Sequence, residues 1–311
     1  EEVCMKLFWL LVFLTLGACG PAPDEDRDVV AEPEPSETDA GQPLERHDRE
    51  DSFAEVNGTR LFYEARGSGP SLLLISGANL DSRLWDELFG ELAERFRVVR
   101  YDPRGTGKSN VPQEPFSHYE DLHALVDFLK VETTHLLGFS FGGGVALDFA
   151  VQYPERVRSL ILVAPGLSSW KDELTPVLAD VSDVAEKEGR AKAIELLLAD
   201  PSMPTAEHKE ARERMRAILE DSPRLFDSGF AYLRLMEPLD PPVEERLTEI
   251  KVPTLLIAGE RDHPGIHENV DKLQQGIAGA RKVLVMGVGH VVSLEHPAEL
   301  RRIVLDFLGA D

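Results

Sequence analysis

The stretch that leaves this chain fewest options is Gly138-Phe139-Ser140-Phe141-Gly142. It follows the apolar run Thr134-His135-Leu136-Leu137 and opens into Gly143-Gly144-Val145-Ala146-Leu147-Asp148-Phe149-Ala150, so it reads as strand, sharp turn and helix. In that setting a G-x-S-x-G pentapeptide forms an elbow. Glycines two before and two after the serine remove the Cβ atoms that would collide in so tight a turn, and the serine is forced outward above the sheet edge. Without these flanks the same five residues are an ordinary Gly/Ser turn; the strand before and the helix after decide between the two.

The remainder of the chain is built on the same alternation. Phe53-Ala54-Glu55-Val56 and Thr59-Arg60-Leu61-Phe62-Tyr63-Glu64 flank Asn57-Gly58, a dipeptide suited to a two-residue hairpin turn. Ser71-Leu72-Leu73-Leu74-Ile75, Arg97-Val98-Val99-Arg100-Tyr101, Val157-Arg158-Ser159-Leu160-Ile161-Leu162-Val163, Thr254-Leu255-Leu256-Ile257-Ala258-Gly259 and Lys282-Val283-Leu284-Val285-Met286 are short, mostly apolar runs of the kind buried on both faces of a sheet. Helical patterns over about Leu84 to Arg95, through Leu122 to Leu129, after the elbow, through Leu273, and from about Ala298 to Leu308 lie between or after them. The pattern predicts an α/β fold with a mostly parallel central sheet flanked by helices. From Gly166 to about Lys251 the alternation stops, and helical patterns separated by prolines predict a helical cap inserted between two strands. The folded domain is expected over residues 52–311, with no internal repeat.

The 311 residues suit one large domain plus appendages, and the net charge of −23 excludes the basic face that a nucleic-acid partner needs. Much of that charge is local: between Asp24 and Asp51 twelve carboxylates face three arginines. Residues 20–51 are rich in Pro, Glu, Asp, Ala and Ser, with too few apolar side chains to offset the entropy of ordering, and read as a solvated, extended tether. Both cysteines, Cys4 and Cys19, precede it, so the main domain has neither a disulfide nor a thiolate metal site. Met5-Lys6, the apolar run Leu7 to Leu14 and the small residues Gly17 and Ala18 have the grammar of a secretory signal over residues 5–18. Leu16-Gly17-Ala18-Cys19 resembles the lipobox of bacterial lipoproteins. That resemblance implies removal of the signal, acylation of Cys19 at a mature N-terminus, and a domain anchored to a membrane of the bacterial cell envelope. The alternative is a plain signal peptide that ends in Ala-Cys.

The order, spacing and motifs from about Ser52 to Gly309 resemble the α/β-hydrolase superfamily, and in particular its enol-lactonases, methylesterases and cofactor-free haloperoxidases. In that family the order of the functional residues is Ser, Asp or Glu, His. The resemblance implies Ser140 as nucleophile and His290, in Gly287-Val288-Gly289-His290 just past the last strand, as base; His296, beside Pro297, is the rival. Gly259-Glu260-Arg261-Asp262 resembles the family's G-x-x-D segment and implies Asp262 as the orienting carboxylate, with Glu260 nearer the strand end. The oxyanion donors are then the backbone N–H of Phe141 and, by family position, of Ala78 in Ser76-Gly77-Ala78, where many relatives carry His-Gly. Asp102-Pro103-Arg104-Gly105-Thr106-Gly107-Lys108-Ser109 resembles a structural loop of the same family.

Two competing motifs are weak. Gly107-Lys108-Ser109 suggests a phosphate loop, but Asp102 stands where that motif wants glycine, and Pro112 where its helix must start. Asp262, His263 and His267 suggest a metal site, but Pro264 and Gly265 interrupt the helical spacing it needs. No cofactor or metal is expected. Trp170, Met203, Phe226, Phe230, Tyr232, Leu233 and Met236 can line an apolar pocket or simply fill a core. The expected activity is cleavage of a small carboxylic ester or lactone through an acyl-enzyme. Perhydrolysis or carbon–carbon bond hydrolysis by the same triad, and a tethered ligand-binding or sensor protein, are the alternatives. Ser140 itself excludes an aspartate nucleophile.

Overall fold

A computed structural model of the chain describes residues 50–167, 176–222 and 235–309. The sequence readings on Cys19, the signal segment and most of the tether, and on Trp170, Phe226, Phe230, Tyr232 and Leu233, lie outside the described residues.

The strands form one 8-stranded sheet in the order β1-β2-β4-β3-β5-β6-β7-β8, where β1 is Glu50–Val56, β2 Thr59–Arg66, β3 Ser71–Ile75, β4 Arg97–Tyr101, β5 Thr134–Phe139, β6 Val157–Val163, β7 Thr254–Gly259 and β8 Arg281–Val285. β1 and β2 form the expected hairpin, Val56 opposite Thr59, with Asn57 and Gly58 at φ 46° and 68° as a two-residue turn requires. β2 also runs antiparallel to β4; from β4 to β8 every pairing is parallel.

The apolar runs are continuous because both faces of the sheet are covered. Leu72, Leu74, Leu137, Ile161 and Ile257 point into one cluster with α1 (Asp86–Leu92) and the last helix, Pro297–Leu308. Their neighbours Leu73, Ile75, Leu136, Leu160 and Leu256 point into the other, with α2 (His118–Phe128), α3 (Phe141–Gln152) and the helix Pro264–Gly276. Between β6 and β7 lie α4 (Pro176–Glu188), α5 (Arg190–Ala199) and α6 (Lys209–Asp221). Val181, Ile194, Leu197, Met215 and Leu219 on these helices join the first cluster, so among the described residues the cap shares its core with the sheet. The C-terminal helices are α7 (Pro264–Gly276), α8 (Val292–Glu295) and α9 (Pro297–Leu308).

Two differences from the sequence reading have local causes. Strand β1 starts at Glu50 rather than Ser52, because ladder pairing of Glu50 with Ala65 needs no apolar side chain. The helix expected from Leu84 is split into a 3-10 turn, Ser82–Trp85, and α1; Asp81 caps the turn through Arg83 N–H, and the Ser82 N–H is taken by the Asp102 carboxylate at 2.8 Å.

β3 is the topological switch: the chain moves from it to β4 on one side and later to β5 on the other. In open parallel sheets a crevice forms at the carboxyl ends of strands at such a point. The loops that follow β3 and β5 are those carrying Ser76-Gly77-Ala78 and Ser140.

Candidate active site

At the end of β5 the backbone turns through Ser140 with φ 52° and ψ −118°, a conformation that costs a non-glycine residue roughly 1–3 kcal/mol. Four backbone hydrogen bonds hold it there. Ser140 N–H donates to Val163 O, and Ser140 O accepts from Gly143, Gly144 and Gly166 N–H. A Cβ on Gly138 would lie 2.3 Å from Gly142 O, and one on Gly142 2.4 Å from Ile75 O, so the two glycines of the pentapeptide are required by close approach of backbone. The Phe141 amide is the first of α3. The β3 loop packs directly against this turn: a Cβ on Gly77 would lie 2.7 Å from the Phe139 ring and 3.3 Å from Ser140 Cβ. Ser76 Oγ donating to Leu80 O, and Leu80 N–H donating to Gly77 O, curl the loop that carries Ala78.

The structure brings Ser140, His290 and Asp262 together. Ser140 Oγ is 3.0 Å from His290 Nε2, and His290 Nδ1 is 2.9 Å from Asp262 Oδ1, which also accepts the His263 N–H at 2.7 Å. The Asp262 side chain is fully enclosed, and the imidazole packs against the Phe139 ring, 5.0 Å between centroids. A carboxylate at Nδ1 fixes the ring proton there and turns the Nε2 lone pair to the serine hydroxyl. Burial alone pushes the His290 imidazolium below its ordinary value; Asp262, with Glu295 and Asp200, outweighs burial, and the net direction is upward.

The loops that carry Asp262 and His290 are joined by backbone. Glu260 N–H donates to Val285 O and Arg261 N–H to Val288 O, and a Cβ on Gly259 would lie 2.0 Å from Gly289 O. The cap closes on the other side. His290 N–H donates to Ser202 O at 2.6 Å, while Asp200 Oδ1 accepts both the N–H and the hydroxyl of Ser202. The amide before it, Gly289 N–H, is shared by both carboxylate oxygens of Glu295 at 3.1 Å. Arg83 ties the β3 loop to the cap, forking onto Asp81 while its Nη1 reaches Asp221 at the end of α6, 2.7 Å away.

The other residues singled out in the sequence, and the histidines His118, His123 and His135, go elsewhere. His296 is exposed and stands at the N-cap position of α9 without a side-chain capping bond; Glu260 is exposed and accepts the Gly287 N–H. His263 Nδ1 accepts the Gly265 N–H and so caps α7. Among the described residues no group of three His, Cys, Asp or Glu side chains is placed to hold a metal ion. His118 is buried between the Phe116 and Phe141 rings, where burial and then the Arg104 charge push it down to about 3. His123 stacks on Tyr153, and His135 Nδ1 meets Ser159 Oγ. In the Asp102–Ser109 loop the cradle is filled by the chain's own carboxylate: Asp102 Oδ2 accepts the Lys108 N–H, and a Cβ on Gly107 would lie 2.1 Å from it. A phosphate has no room there. Met203 packs on the core, and Met236 is buried and bridges Phe116.

Sequence reasoning missed Glu295, Ser202 and the Asp81–Arg83 tie. Glu295 left one signal, a carboxylate ending the otherwise apolar run Val291-Val292-Ser293-Leu294; Asp200-Pro201-Ser202 left a turn signature.

Residues 70–297 match the model of the alpha/beta hydrolase fold. The chain belongs to that family. This α/β hydrolase is 38% identical over 117 residues to an uncharacterized protein of Mycobacterium tuberculosis, a match that covers 37% of this chain and spans only 34% of that relative. It is 28% identical over 252 residues to a pimeloyl-(acyl-carrier protein) methyl ester esterase of Aeromonas hydrophila, covering 79% of this chain and 98% of the esterase. Among solved structures, the enol-lactonase of Burkholderia xenovorans LB400 superposes with a TM-score of 0.71 at 28% identity, covering 83% of this chain and all of that one.

Proposed function

We propose that this α/β hydrolase is a serine hydrolase that cleaves a small carboxylic ester or lactone through an acyl-enzyme. The observation that carries the reading is a serine held at φ 52° with its Oγ 3.0 Å from an imidazole whose other nitrogen meets a buried carboxylate at 2.9 Å. Ser140 Oγ attacks the substrate carbonyl as its proton passes to His290 Nε2. Asp262 stabilises the imidazolium that forms. The oxyanion is taken by the Phe141 and Ala78 amides, donors of a kind whose individual removal costs roughly 2.7–4 kcal/mol. His290 then protonates the departing alkoxide, activates a water for attack on the acyl-enzyme, and returns the proton to Ser140 as the acid leaves.

The named activities of the Aeromonas and Burkholderia proteins, on a methyl ester and an enol lactone, support ester and lactone carbonyls as the substrate class. The deciding experiment is a fluorophosphonate probe and short-chain aryl esters offered to the purified full chain and to Ser140→Ala. Labelling and turnover by the parent, and neither by the variant, are expected. A folded parent that neither labels nor turns over esters overturns the reading.

The acylated Cys19 belongs to the same proposal, with residues 20–49 as an acidic spacer between a membrane of the bacterial envelope and the enzyme. The lipobox-like Leu16-Gly17-Ala18-Cys19 supports it. Incorporation of an alkyne-tagged fatty acid that Cys19→Ser abolishes is the expected result.

A further inference from the structure

Gly289 is closely surrounded, and its neighbours come from three separate parts of the chain. Its carbonyl abuts Gly259 at the end of β7; a Cβ on it would lie 2.1 Å from Ser202 O in the cap and 3.4 Å from Glu295 Oε1 on α8. Its amide and the next are both bonded outside their own loop, Gly289 N–H to Glu295 and His290 N–H to Ser202 O. The Glu295 side chain is fully enclosed, and besides the Gly289 amide it faces His208 Nδ1, 3.3 Å from Oε2.

We propose that Glu295 is a positioning residue for His290: its buried carboxylate holds the Gly289 amide, and with it the backbone that carries the base, and it adds a second negative charge to that of Asp262 behind the imidazole. The inference rests on the serine-hydrolase reading above. A carboxylate is costly to enclose, and a neutral acceptor would satisfy one amide as well. His208, 3.3 Å away, is one partner for that charge, and the nearby imidazolium formed during turnover is another. The groups facing the base are Asp262 from the β7 loop, Asp200 from the segment after α5, and Glu295 from α8. Those facing Glu295 are His208 from the cap and Arg261 from the β7 loop. Burial holds the Glu295 carboxyl above its ordinary range, with the Gly289 amide, His208 and Arg261 pulling the other way.

Glu295→Gln keeps an oxygen for the Gly289 amide and removes the charge. The imidazole signal of His290, identified by its loss in His290→Asn, is titrated by NMR in the parent and in Glu295→Gln, beside the acid limb of kcat/KM. The expected result is that both midpoints fall together, by roughly 0.5 to 1 pH unit, while kcat drops about tenfold at near-constant KM. A residue that only braces the fold moves stability and leaves both midpoints alone, so an unmoved midpoint in a folded Gln variant overturns the proposal. If the parent hydrolyses no ester, the ester reading fails while the NMR titration still decides this one. If Glu295→Gln does not fold, Glu295→Asp carries the test. It keeps the charge but withdraws the carboxylate by one methylene, so kcat must fall while the midpoint holds; parental kcat in that variant overturns the proposal.

Discussion

The two sides of the sheet bury carboxylates in opposite company. On the β2–β4 side, Glu64 meets Arg100 Nη2 at 2.6 Å, and Asp121 meets Arg104 through two bonds of 2.6 and 2.8 Å while also accepting from Asn57 Nδ2. On the β7–β8 side, Asp262 and Glu295 meet imidazoles, His290 at 2.9 Å and His208 at 3.3 Å. A guanidinium never gives up its proton, so the first pairs are fixed and serve only to hold loops in place. The imidazole of His290 can give up its proton, so the Asp262–His290 pair can exchange charge where the guanidinium pairs cannot. Both kinds of pair are enclosed to a similar degree. Burial alone therefore does not distinguish a structural carboxylate from a functional one; the partner's chemistry does.

Two substitutions separate the sides most sharply. Asp262→Asn removes the charge and disturbs the tautomer, and is expected to cost on the order of 10⁴ in kcat, about 5.5 kcal/mol, with little change in melting temperature. Arg104→Met leaves Asp121 buried and unpaired, and is expected to cost roughly 3–5 kcal/mol of stability while the folded fraction keeps its kcat within about twofold. Ester kinetics beside urea unfolding measure both. An Asp262→Asn protein that loses stability as Arg104→Met does, or an Arg104→Met protein that folds but has lost catalysis, breaks the comparison.

Next in size is Gly289→Ala. The added methyl would fall 2.1 Å from Ser202 O and must displace either the cap or the loop that carries His290. A displacement of that kind is expected to cost about 10² in kcat, roughly 2.7 kcal/mol, with KM for a short ester little changed. Gly58→Ala, at a turn on the guanidinium side where no atom lies within 4 Å of the added Cβ, is the control. It carries only the strain of its φ of +68° and is expected to leave kcat alone.

What could be read from the sequence follows the same division between side chain and backbone. The elbow was legible because its steric demand names residue types: nothing larger than glycine fits where Gly138 and Gly142 approach other backbone. The central strands were legible because two covered faces demand unbroken apolar runs, as in Leu72-Leu73-Leu74-Ile75. The β1 boundary was missed because Glu50 pairs through its backbone, and the split before α1 because it depends on Asp102, twenty residues away, accepting the Ser82 amide. Ser140, Asp262 and His290 could be placed by motif and order. The clamp around the base could not: Ser202 contributes only a carbonyl, which every residue has, and Glu295 grips an amide that no side chain marks.

The smallest effect concerns the protonation of His290. Burial acts to lower the His290 value, and Asp262, Glu295 and Asp200 together raise it beyond that, so the base titrates above the ordinary imidazole value of about 6.5. Only the neutral ring can take the serine proton; kcat/KM must therefore fall as pH drops through a midpoint above about 6.5. Stability runs the other way. A histidine whose folded value is raised binds its proton more tightly when folded, so its contribution is fully present below the unfolded value and is lost as pH rises through the folded one. Each pH unit that separates the folded from the unfolded value is worth about 1.36 kcal/mol, a modest effect, and His290→Asn must remove it. Melting curves of parent and variant across this window, beside the kcat/KM profile, are expected to show activity rising where the parent's stability advantage disappears. The Arg100–Glu64 and Arg104–Asp121 pairs contain no imidazole; Arg104→Met leaves the Asp121 carboxyl without the bonds that oppose the upward push of burial, so its stability profile changes where that carboxyl titrates, while its kcat/KM should keep the parent's pH dependence. A change in the shape of that dependence would mean that the two sides of the sheet are coupled.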